Sequence, residues 1–81
     1  MHVSKQTKVL RAIDNGKRLS SGALQVTPDG DAFSYDVCIF RAATGMLHAK
    51  KYSSTTSGHQ NVVRGALVSL GRAFTETEET V

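Results

Sequence analysis

Apolar positions fall into short blocks along the chain, and their spacing changes from block to block. In residues 4–14, SKQTKVLRAID, Gln6, Val9, Leu10 and Ile13 sit at i, i+3, i+4 and i+7, the spacing of one helical face. Ser4 offers an N-cap and Asn15-Gly16 a left-handed stop. A rival reading runs a strand through Val9, Arg11 and Ile13, and the caps favour the helix. Residues 19–27, LSSGALQVT, read as a strand led by Leu24 and Val26, closed by the turn Pro28-Asp29-Gly30-Asp31. In residues 32–41, AFSYDVCIFR, Phe33, Tyr35, Val37 and Ile39 alternate with Ser34, Asp36, Cys38 and Phe40. That is a strand pattern, and it places the first set in the core and Cys38 and Phe40 on a second, partly apolar face. Residues 42–45 form a turn and residues 46–52, MLHAKKY, a third strand.

A hydroxyl-rich loop, residues 53–57, precedes a long helical pattern. Ser57 and Gln60 have capping-box spacing. Val62, Val63, Ala66, Leu67, Leu70, Ala73 and Phe74 then fall within an arc of about 140°. Gly65 is a poor helix former, which predicts close approach of another backbone. Gly71 is a candidate early stop, after which Phe74 packs from a following turn. The expected architecture is an α+β domain over residues 1–74, in the order α-β-β-β-α. A three-stranded antiparallel sheet is packed by the C-terminal helix. Residues 75–81, TETEETV, have nothing to bury and read as an acidic flexible tail.

Composition narrows the chemistry. A domain of 81 residues buries about 60–65% of its unfolded surface, which leaves no room for a two-lobed cleft. The single Cys38 excludes an internal disulfide, and MHVSKQTKVL lacks an apolar leader. No stretch approaches the roughly 20 apolar residues of a membrane span. A cytoplasmic protein with no membrane contact is expected. Net charge is +3, but Glu76, Glu78 and Glu79 all lie in the tail. Residues 1–74 hold ten Lys/Arg against four Asp, so the body carries +6, a balance that attracts polyanions.

His2, His48 and His59 show no ligand spacing, and with one cysteine no metal site is expected. Cys38 has no neighbouring base, and no phosphate loop or nucleophile elbow is present, so neither catalysis nor a cofactor is expected. An anion or partner site is expected where Ser57 and His59 open the last helix, with Lys50 and Lys51 upstream and Arg64 two turns on. Lys8 and Arg11, with Lys5, Lys17 and Arg18, form a second basic group beside the first helix. Gly65, Val68, Ser69 and Arg72, with Gly58 and Asn61, form a thin outer face suited to docking another chain.

The element order resembles that of double-stranded-RNA-binding domains. In the place where that family carries a lysine-rich helix start, this chain has Thr56-Ser57-Gly58-His59-Gln60, and Asp29 and Asp31 occupy the turn that would face phosphate. No binding residue is therefore carried over. Size and style also resemble small phage-encoded inhibitors of the anti-CRISPR type, a resemblance that implies a protein or nucleoprotein target. The expected function is a non-catalytic accessory protein that docks on a nucleic acid or a nucleic-acid-handling complex. The alternative is a homodimeric protein-interaction module without nucleic-acid contact.

Overall fold

The computed structural model describes residues 4–81 and has the element order α1 (Lys5–Asn15), β1 (Leu19–Ser21), β2 (Leu24–Val26), β3 (Ala32–Ser34), β4 (Val37–Arg41), β5 (Met46–His48), α2 (Ser54–Ser69) and β6 (Thr75–Thr77). The α+β class matches the sequence expectation. The three-stranded sheet and the α-β-β-β-α order do not, because six strands form one mixed sheet in the order β1-β2-β3-β4-β5-β6. Both helices lie on one face of this sheet and against each other.

α1 forms where its caps predict. Ser4 Oγ accepts from the Thr7 amide at 3.2 Å, and Gly16 takes a left-handed φ of 63°. The Gly16 amide donates to the Ile13 carbonyl and the Lys17 amide to Ala12, which satisfies the last carbonyls in a Schellman arrangement. Gly71 ends α2 in the same way, at φ 69°, with Arg72 donating to Leu67. The start of α2 differs from expectation. Ser53, not Ser57, is the N-cap, and its Oγ accepts from the Thr56 amide. Gln60 is freed from capping, and its Nε2 donates to the carbonyls of His48 and Lys50, pinning the end of β5 to the helix.

Two segments expected to be single strands are hairpins. Residues 19–27 fold at Gly22-Ala23, with Ser21 opposite Leu24. Gly22 has φ 60° and Ala23 does not share the positive angle, which fits a type II′ turn. Residues 32–41 fold at Tyr35-Asp36, with Ser34 opposite Val37. Tyr35 sits at φ 55°, the one non-glycine residue with positive φ among those described, and its amide donates to Ala23. The alternation rule therefore fails there. Of Phe33, Tyr35, Val37 and Ile39, only Ile39 is buried, and Tyr35 is 59% exposed. The register slips between Ala32 and Phe33, so Ala32 faces Phe40 while Phe33 faces Cys38. This bulge lets Ile39 and Phe40 point to the same side, which moves Phe40 into the core and off the outer face assigned to it by sequence.

β5 ends at His48, short of the strand expected to reach residue 52. Residues 75–77 are not an unpaired tail. They form β6, parallel to β5, with Thr75 donating to the Gly45 carbonyl and Ala49 to Thr77. A parallel neighbour needs a crossover, and α2 is that crossover. A row of facing residues, Leu19, Val26, Ala32, Phe40 and Leu47, crosses the sheet beneath the helices. Val9, Ala12 and Ile13 from α1 and Val63, Ala66 and Leu67 from α2 close over it. Val62, Leu70 and Phe74 pack at the margin, while Ala73 is exposed.

Candidate nucleic-acid interface

α1 presents Lys8, Arg11, Ala12 and Asn15 at i, i+3, i+4 and i+7, so they share one face. The short link after Gly16 brings Lys17, Arg18 and Leu19 beside that face. Together these residues line a cavity of about 340 Å³. Ala12 and Leu19 form its apolar wall, and Lys8, Arg11, Lys17 and Arg18 are exposed around it. Among the described residues, none of the four takes part in an ion pair. The ion pairs among the described residues are Arg41–Asp31 at 3.0 Å and Arg64–Glu76. The C-terminal end of α1 contributes roughly half a negative charge through its dipole, too little to offset four cations. Of the basic group expected beside the first helix, Lys8, Arg11, Lys17 and Arg18 line this one concave site, and Lys5 does not.

The residues expected to form a cradle at the start of α2 have other positions. His59 turns inward and is buried, with Nδ1 2.7 Å from Ser34 Oγ. Arg64 donates to Asn61 and to Glu76, the β6 residue on the helix side of the sheet. Ser57 is half-buried one turn beyond the true N-cap. Lys50 and Lys51 remain exposed in the preceding loop, with Lys50 Nζ 5.6 Å from the centre of the Tyr52 ring. On the outer face, Val68 is 65% exposed, and Ser69 and Arg72 are exposed. Gly65 is not part of that free face: a Cβ there would collide with the Gln6 carboxamide of α1. The close approach predicted at Gly65 is real, but it comes from a side chain and not from another backbone.

Sequence reasoning did not anticipate a buried polar cluster of Ser34, Thr56 and His59, all on the inner side of the sheet. Ser34 Oγ lies 3.3 Å from Thr56 Oγ1 as well as 2.7 Å from His59 Nδ1. A serine against a histidine is the pairing used in nucleophilic catalysis. Here Ser34 is fully buried and His59 Nε2 has no carboxylate to orient it among the described residues. The hydrogen bonds pair these polar side chains with one another inside the core. Burial, with a smaller contribution from the charge of Lys5, lowers the His59 pKa below its ordinary value and keeps the ring neutral. His48 is also fully buried, with Nε2 2.6 Å from Tyr52 Oη, while its Nδ1 has no hydrogen-bond partner among the described residues.

Cys38 lies on the open face of the sheet opposite Phe33. Burial raises its pKa more than the nearby Arg41 lowers it, so the thiol form is favoured, and Sγ donates to the Phe40 carbonyl. Among the described residues, no group of three His, Cys, Asp or Glu side chains is placed to hold a metal ion. No described helix is long and apolar enough to cross a membrane.

The fold and pocket define a small two-layer α+β domain with a cationic concavity beside its first helix. Comparison with protein-family models, curated proteins and solved structures finds no match.

Proposed function

We propose that this chain is a non-catalytic binding protein whose ligand is a nucleic acid, alone or within the complex that handles it. The observation that supports this reading is the cluster of Lys8, Arg11, Lys17 and Arg18 around one pocket, with no acidic side chain among the described residues paired to any of them. Cations that are not neutralised by their own protein attract a polyanion and release its condensed counterions on contact. The rigid frame matters as much as the charge. Lys8 and Arg11 stand on a capped helix, and Lys17 is tied to it by the Schellman turn, so the backbone that carries the four side chains is fixed before binding.

The test is the salt dependence of affinity for a labelled oligonucleotide, followed by fluorescence anisotropy. Two to four phosphate contacts predict a slope of log K against log salt between about −1.4 and −3.6. Absence of binding to every nucleic acid tested at low salt would contradict the reading.

A further inference from the structure

The pocket between α1 and β1 is larger and less polar than a bare phosphate requires. We infer that it receives one unstacked nucleotide of a single-stranded nucleic acid. This rests on the reading proposed above and names the ligand class of the same site. The cavity of about 340 Å³ lies at the lower end of the ~300–1,000 Å³ range that accommodates small organic ligands. Its wall is formed by Ala12 and the side chain of Leu19. A phosphate gains nothing from that wall, whereas the face of a base loses unfavourable contact with water there. Arg11 and Arg18 add planar guanidinium groups on which a base can stack while Lys8 and Lys17 meet the flanking phosphates. Asn15 stands at the same lining with Nδ2 committed to the Arg11 carbonyl at 2.9 Å, which leaves Oδ1 as an acceptor for an exocyclic amino group.

A duplex fits this arrangement poorly. Its bases are stacked inside, and one must be extruded at an energetic cost before it enters a pocket. Its phosphates run along a convex ridge, which touches the rim cations and leaves the apolar wall wet. No aromatic residue among those described lines the cavity, so discrimination among the four bases is weak. The selectivity lies between paired and unpaired strands.

The experiment compares the full chain binding to a single-stranded oligonucleotide, to the matching duplex and to inorganic polyphosphate, all at low salt. DNA and RNA versions of the single strand are run as separate arms. The single strand is expected to bind more tightly than either competitor by about tenfold, the gain from roughly one desolvated base face. In parallel, a mononucleotide titrated into the chain labelled at methyl groups should shift the Ala12 and Leu19 resonances saturably, whereas inorganic phosphate should not. The methyl readout needs no substitution, so it does not depend on a variant that fails to fold. Equal affinity for all three polymers with unmoved methyl resonances overturns the inference and leaves polyanion binding standing. No binding to any of them removes both.

Discussion

At the scale of single residues, one buried hydrogen bond and one close contact between the helices have consequences that can be measured. His59 is held neutral because it is buried against Ser34 and near Lys5. Its folded-state pKa lies below its unfolded value, so the unfolded chain binds the extra proton first as pH falls. The stabilisation is complete above about pH 6.5, the ordinary histidine value, and is lost as pH drops through the depressed native pKa. Chemical denaturation at a series of pH values should therefore show a decline beginning below that point, and His59→Asn should flatten it. Removing the partner instead, with Ser34→Ala, leaves a buried ring nitrogen unsatisfied and should cost about 1–3 kcal/mol. At Gly65 the obstacle to a methyl group is the end of the flexible Gln6 side chain. In Gly65→Ala, Gln6 should swing into solvent while the helix gains intrinsic propensity. Thermal unfolding should then show a change within about 1 kcal/mol, whereas a loss of several kcal/mol would mean that α1 itself is displaced.

At the scale of elements, β6 is the part whose role is least expected from its composition. Three short polar residues add a parallel strand because α2 delivers the chain to the free edge of β5, where Gly45 and Ala49 have backbone groups to pair. Arg64 of α2 reaches Glu76 across the same junction, an exposed pair of small energetic weight. Ending the chain after Phe74 should lower stability by roughly 2 kcal/mol, the net value of a few backbone hydrogen bonds. It should also speed amide exchange at Ala49. An unchanged Ala49 rate would show that β6 contributes nothing to the sheet.

The same elements show which features a sequence makes legible. α1 was readable from end to end because Ser4, the 3.6-residue period and Gly16 agree with one another. Gly71 and the marginal packing of Phe74 were readable for similar reasons. The strands were not. Leu19–Ser21, Leu24–Val26 and Ala32–Ser34 are each three residues long, too short for alternation to establish a face, and Ile39 and Phe40 break it through a bulge. The turn at Tyr35-Asp36 carries no glycine, and Tyr35 takes the positive φ itself. Only Gly22 signalled its hairpin, and a Ser-Gly-Ala run inside a plausible strand is a weak signal. Ser53 and Ser57 are both followed three residues later by a polar partner, so local spacing alone does not choose between them. The burial of Thr56, His59 and Gln60 decides it.

At the scale of the whole molecule, the helical layer covers one side of the sheet and leaves two basic regions that sequence proximity made look equivalent. One is Lys8, Arg11, Lys17 and Arg18 around the α1–β1 cavity, and the other is Lys50 and Lys51 before α2. The second loses its supporting residues, because His59 is buried and Arg64 is tied to Glu76. The first was legible as a set of cations near the first helix but not as a concavity, because spacing along the chain does not show that Leu19 and Ala12 wall it or that Lys5 lies outside it. The central claim is that the pocket, and not total charge, carries nucleic-acid binding. The most direct measurement compares the affinity of Lys17→Glu/Arg18→Glu with that of Lys50→Glu/Lys51→Glu for one oligonucleotide. Both variants change net charge by the same amount at exposed positions. The account predicts a loss of at least about tenfold and a shallower salt slope for the first variant, and a much smaller loss for the second. Equal losses, or a larger one from Lys50 and Lys51, would contradict it.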